Sequence, residues 1–97
     1  MAIYVTLMKF TEQGMRDLKG APKRLEGATK AWELLGGKLL AAYFMMGEYD
    51  YIAITESPSD EAALAASLAV SAREHVKTTT LRAFPISEFN RLVESLP

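Results

Sequence analysis

Hydrophobic residues follow two different rhythms along this chain. Over residues 2 to 9, Ile3, Val5 and Leu7 alternate with Tyr4, Thr6 and Met8, the two-residue period of a strand. Thr11 is placed to cap a short helical turn that runs to about Leu18. Gly20-Ala21-Pro22 then breaks and restarts the chain, Pro being well suited to a first helical position. Leu25, Ala28, Trp32 and Leu35 recur at helical spacing until Gly36-Gly37 stops the helix. From Leu39 to Met46 eight consecutive positions are apolar; Gly47-Glu48-Tyr49-Asp50 is a polar break, and Tyr51-Ile52-Ala53-Ile54 resumes the strand pattern. This is a hairpin, in which Gly47 supplies backbone freedom and the Asp50 carboxylate accepts backbone N–H bonds, so both residues are predicted to be structural.

Ser57-Pro58-Ser59-Asp60-Glu61 signals a helix start, with Ser59 as cap and two acids in the first turn. The helix spans about 60 to 73, and its many alanines let it lie close on a sheet. Val76 to Phe84, rich in Thr, is a fourth strand that Pro85 ends. Ser87 is placed to cap a last short helix carrying Phe89, Leu92, Val93 and Leu96 on one side.

Strand, helix, strand, strand, helix, strand is the ferredoxin-like βαββαβ arrangement, an α+β fold. Residues 1–97 make one domain, with a four-stranded antiparallel sheet and helices on one face. The other face of such a sheet is ordinarily polar. Here the apolar second strand presents large groups on both sides, an association surface that a second copy would cover sheet against sheet. Strand parity puts Ile3, Val5, Leu7, Ile52 and Ile54 under the helices, and Tyr4, Thr6, Met8, Thr78, Thr80 and Arg82 toward the partner.

The chain has no Cys, which excludes disulfides and thiolate metal sites and suits a reducing, cytoplasmic location. No apolar run reaches the roughly 20 residues of a bilayer span, so no membrane partner is expected. The net charge of −1 hides an asymmetry, because residues 1 to 40 hold seven Lys/Arg against four Asp/Glu. Arg16, Lys19, Lys23, Arg24 and Lys30 are nonetheless interspersed with Glu26 and Glu33. They read as a solvated helix face, and no nucleic-acid partner is expected.

Met46-Gly47-Glu48-Tyr49-Asp50-Tyr51 resembles the signature of the GYD-domain family, small proteins of the dimeric α/β-barrel superfamily. The likeness extends to Tyr4-Val5-Thr6-Leu7, Thr11-Glu12-Gln13-Gly14, Pro22-Lys23-Arg24, Gly36-Gly37-Lys38 and Thr78-Thr79-Thr80-Leu81-Arg82-Ala83-Phe84, nearly the whole chain. It implies a homodimer, or a higher oligomer, built through sheet faces into a dimeric α/β barrel. A similar Gly-x-Tyr-Asp-Tyr turn occurs in effector-binding domains of Lrp/AsnC-type regulators. This chain lacks their DNA-binding helix-turn-helix.

Chemistry is thinly supplied. His75 is the only histidine, so no multi-histidine metal site exists within one chain, and neither metal nor cofactor is predicted. Trp32 and His75 invite comparison with haem-degrading members of the superfamily, but Trp32 falls where the first long helix needs a core residue. Glu48 and Asp50 read as turn residues rather than as an acid–base pair. Tyr4, Tyr43 and Tyr51, with Thr6, Thr80 and Arg82, are the candidate ligand contacts. Arg82 needs a partner: Glu48, Asp50 or Glu56 in an ion pair, or the acid group of a small anionic or aromatic ligand. The predicted function is a small-molecule-binding or sensory module. The alternative is an enzyme resembling the superfamily's cofactor-independent monooxygenases, acting on an aromatic or quinone-like substrate.

Overall fold

A computed structural model describes residues 1–97. Its elements are β1 (Ala2–Phe10), α1 (Glu12–Arg16), a 3₁₀ turn (Leu18–Gly20), α2 (Ala21–Leu34), β2 (Lys38–Phe44), β3 (Tyr51–Ser57), α3 (Asp60–Arg73), β4 (Val76–Ala83) and α4 (Ile86–Glu94). The four strands form one antiparallel sheet in the order β2-β3-β1-β4. With α2 and α3 on one face, this is the ferredoxin-like α+β fold.

Local chemistry sets most boundaries. The Gly14 N–H donates to the Thr11 hydroxyl at 3.2 Å, and the Ala62 N–H to the Ser59 hydroxyl at 3.1 Å, so both predicted caps are made. Gly36 takes φ +85°, the left-handed conformation that ends α2. Ser87 caps nothing: α4 begins one residue earlier, after Pro85, without a side-chain cap. Nor is the early helix continuous to Leu18, since Asp17 at φ −115°, ψ 59° interrupts it.

The two faces of the sheet are the reverse of the parity expectation. Met8, Tyr51 and Ala53 pack with Leu25, Ala28, Trp32, Ala66, Val70 and Val76 in the core beneath the helices. Tyr4, Thr6 and Thr55 are buried on the same side. Ile3, Val5, Leu7, Ile52 and Ile54 lie on the open face, in register with Ala41, Tyr43, Leu81 and Ala83. Inward Thr6 and Thr80 are tolerated because their hydroxyls bond one another and Ser67. Thr6 and Thr80 hydroxyls lie 3.1 Å apart, Thr80 and Ser67 hydroxyls 2.6 Å, and the Ser67 hydroxyl donates to the Ala63 carbonyl at 3.0 Å. A register shift between Leu39 and Ala41 settles β2, turning Leu39 and Ala42 toward the core while Leu40 and Tyr43 stay exposed.

The hairpin loop is longer than the sequence pattern predicts, because β2 ends at Phe44. Gly47 holds φ +103° in it. The Asp50 carboxylate ties the loop to β1 rather than bonding within the turn, accepting from the Phe10 N–H at 2.9 Å; the Asp50 N–H donates to the Met8 carbonyl, and its carbonyl accepts from the Met45 N–H across the hairpin loop. Asp50→Ala should therefore lower stability by about 1–2 kcal/mol in urea titrations, as loss of a bond to a charged acceptor does. An unchanged midpoint would show the tether to be dispensable.

Arg24 is no surface charge. Its side chain is 13% exposed and donates to the Asp17 carbonyl (2.8 Å) and carboxylate (3.1 Å) and to the Gly14 carbonyl (3.1 Å). It thereby pins the α1 segment to α2.

Candidate functional site

Ser59 caps α3 and so fixes Asp60 at the helix entrance, over the end of the sheet where Tyr4 of β1 faces Arg82 of β4. The Tyr4 hydroxyl donates a hydrogen bond to the Asp60 carboxylate. The same carboxylate stands 3.7 Å from the Arg82 guanidinium. That guanidinium lies 5.8 Å from the Tyr4 ring centre and 4.8 Å from that of Phe84, within the range of cation–π attraction. Tyr4, Asp60, Ala63, Leu64, Thr80 and Arg82 line an open groove of about 210 Å³.

The bond to Asp60 raises the pKa of Tyr4, since ionising the phenol would remove the donor and set two anions together; burial acts in the same direction, and the positive charge of Arg82 opposes both. Tyr4 is thus a persistent donor that orients Asp60. Arg82 keeps free N–H groups, because 3.7 Å is well beyond the roughly 2.7–2.9 Å of a made charge-assisted bond. The groove offers an anchored acid, a half-free guanidinium and apolar walls.

The six predicted contacts do not converge. Tyr4, Thr80 and Arg82 meet in this groove. Thr6 lies beneath it with no exposed surface, its hydroxyl engaged by Thr80. Tyr51 instead lines a cavity of about 10 Å³ between sheet and α2, room for about one water, with Met8, Leu25, Trp32, Leu39 and Thr55 around it. There burial raises the pKa of Tyr51, while Trp32 Nε1 and Thr55 Oγ1 make no hydrogen bond within the chain. Tyr43 stands on the open face. Trp32 is a core residue, and His75 occupies the α3–β4 turn at φ +56°, its carbonyl accepting from the N–H and hydroxyl of Thr11. No three His, Cys, Asp or Glu side chains are grouped to hold a metal ion, and no helix is long and apolar enough to cross a membrane.

Asp60, the partner of Arg82, reads in the sequence only as a first-turn helix acid; Glu48 bonds Lys9 at 3.8 Å instead. A second groove of about 400 Å³ runs between α2 and α3, lined by Lys30, Leu34, Arg73 and Glu74 among others. Leu34 on α2 and Leu64 and Leu68 on α3 are all more than half exposed.

The GYD domain matches residues 4–93. A Thermus thermophilus protein named glutamine synthetase and cystathionine beta-lyase binding protein is 28% identical over 89 residues, which cover 91% of this chain and 94% of that protein.

Proposed function

The chain belongs to the GYD family, and from that premise we propose that it is a small, homodimeric binding or sensory module that holds an anionic or aromatic molecule in the groove of Tyr4, Asp60 and Arg82. The observation that carries this reading is the incompletely paired Arg82 guanidinium, set between two aromatic rings above apolar walls. A carboxylate engages such a planar fork through two parallel bonds, and an attached ring finds Leu64 and Phe84 beside it. Mainly apolar walls with a few oriented polar groups are the usual composition of a small-molecule site.

The Thermus relative is named for binding two enzymes. We extend to this chain only attachment to a protein partner, which the outward Leu34, Leu64 and Leu68 support as apolar ground on the helical side. Leu64 belongs to both the groove and this surface, so an occupant of the groove alters what a partner meets. The open sheet face, with Ile3, Val5, Leu7, Ile52 and Ile54, is the homodimer surface in this reading.

Thermal-shift screening with carboxylates, phenols and quinone-like compounds tests the site. A ligand at a hundred times its Kd stabilises the fold by about 2.7 kcal/mol, and Arg82→Gln should weaken carboxylate hits about tenfold or more, the loss of one charge-assisted contact. Hits indifferent to Arg82→Gln would remove the site. Oxygen consumption with a hit would replace the binding module by the monooxygenase-like alternative.

A further inference from the structure

The groove between α2 and α3 is the larger of the two open ones and shares no residue with that of Tyr4 and Arg82. Its 400 Å³ or so falls within the roughly 300–1,000 Å³ of small-molecule sites. One stripe of each helix lines it: Gly27, Lys30 and Leu34 recur at three- and four-residue spacing along α2 and face Ala69, Arg73 and Glu74 of α3.

The two helices run antiparallel, because α2 joins β1 to β2, α3 joins β3 to β4, and these two parallel pairs point in opposite directions. The groove therefore has unlike ends. At one, the half-buried Glu74 lays its carboxylate over Gly27, so close that a Cβ there would stand 2.9 Å from one oxygen, and Arg73 precedes it in the last turn of α3. At the other stands Leu34, about 10 Å farther along α2. The lining between is aliphatic, with no aromatic side chain.

The charges at the first end are not spent on one another. Neither Arg73 nor Glu74 enters an ion pair, and Lys30 has only Glu26 at 3.8 Å, with both side chains 69% exposed, a pairing of little strength. Glu74 also caps the carbonyl end of α3, where the helix dipole adds partial negative charge and favours a cation. One half of the groove thus calls for both signs of charge, and the other half for hydrocarbon.

We propose that this groove binds a zwitterion with an aliphatic tail, the chemistry of a free α-amino acid with a branched apolar side chain. The ammonium group bonds the Glu74 carboxylate, the ligand carboxylate takes the planar Arg73 fork with Lys30 across the groove, and the tail lies over Ala31 toward Leu34. A simple anion would meet Glu74, and a simple cation would meet Lys30 and Arg73, so like-charge repulsion disfavours both.

Titration calorimetry with L-leucine tests the site. The unaltered chain should bind it with a Kd of about 1 mM or tighter, whereas 4-methylpentanoate, which lacks the ammonium, and 3-methylbutylamine, which lacks the carboxylate, should each bind about tenfold more weakly or worse. Glu74→Gln and Arg73→Gln should each weaken L-leucine to the same degree. Both side chains stand outside the core and in no ion pair, so circular dichroism should report unchanged folds, and Arg82→Gln should leave L-leucine binding as it is. A weaker Kd for the unaltered chain, or binding indifferent to Glu74→Gln and Arg73→Gln, would overturn the site. An analogue that binds as tightly as L-leucine would overturn the zwitterion, and binding lost with Arg82→Gln alone would move the amino acid to the Tyr4 groove.

Discussion

Trp32→Ala should remove about 3–5 kcal/mol of stability, the cost of emptying a large aromatic site in a packed core. Domains of this kind have about 5–15 kcal/mol in all, so the variant stands near the edge of folding. Trp32 is 2% exposed and packs within the cluster that holds Met8, Leu25, Ala28 and Tyr51 together. Its loss would also enlarge the small cavity beneath α2. Trp32→Phe should be much milder than the volume change suggests, because it also deletes a buried N–H that bonds nothing within the chain. Urea titration followed by circular dichroism measures both. Equal losses for Ala and Phe would mean that the indole N–H is satisfied in solution.

Gly14→Ala should cost about 2 kcal/mol despite lying in a helix. Alanine is favoured over glycine in helix interiors by about 1 kcal/mol. Here, however, an added Cβ would stand 2.5 Å from the His75 carbonyl oxygen. That oxygen cannot yield freely, since it accepts from both the N–H and the hydroxyl of Thr11 and follows a residue backbone held at positive φ. Overpacking against backbone costs about 1–3 kcal/mol or more and outweighs the propensity gain. A domain of this size loses about 4–8 °C of Tm per kcal/mol, so calorimetry resolves the effect. A Tm that rises would mean that the turn shifts without resistance.

Element order was legible because most boundaries have a local cause: the Thr11 and Ser59 hydroxyls at two helix starts, Gly36 at positive φ after α2, Pro85 after the last strand. Sheet parity was not. Ile3, Val5 and Leu7 form the more apolar side of β1, and the usual rule sends that side to the core. The rule fails because the Thr6, Thr80 and Ser67 hydroxyls satisfy one another beneath α3, which makes the more polar side cheap to bury. The apolar side is left for the open face. Likewise Arg82 announces a need for a partner, but only the packing of α3 on β4 supplies Asp60. Arg24 looks like its charged neighbours until the fold encloses it against Asp17 and Gly14. What was missed depends on contacts between distant segments, which a linear pattern does not carry.

The strand order β2-β3-β1-β4 also dictates when this protein folds during its synthesis. β1 leaves the ribosome before the other three strands, yet it lies inside the sheet, and neither neighbour exists until later: Ile3 pairs with Glu56 on one side and with Ala83 on the other. The β2–β3 hairpin assembles from local chain alone, whereas both edges of β1 stay unpaired while most of the polypeptide is made. Such long-range pairing slows folding relative to helical chains of equal length. A nascent chain that stops before β4 carries a bare strand edge rich in Ile, Val and Leu, a template for pairing with its neighbours.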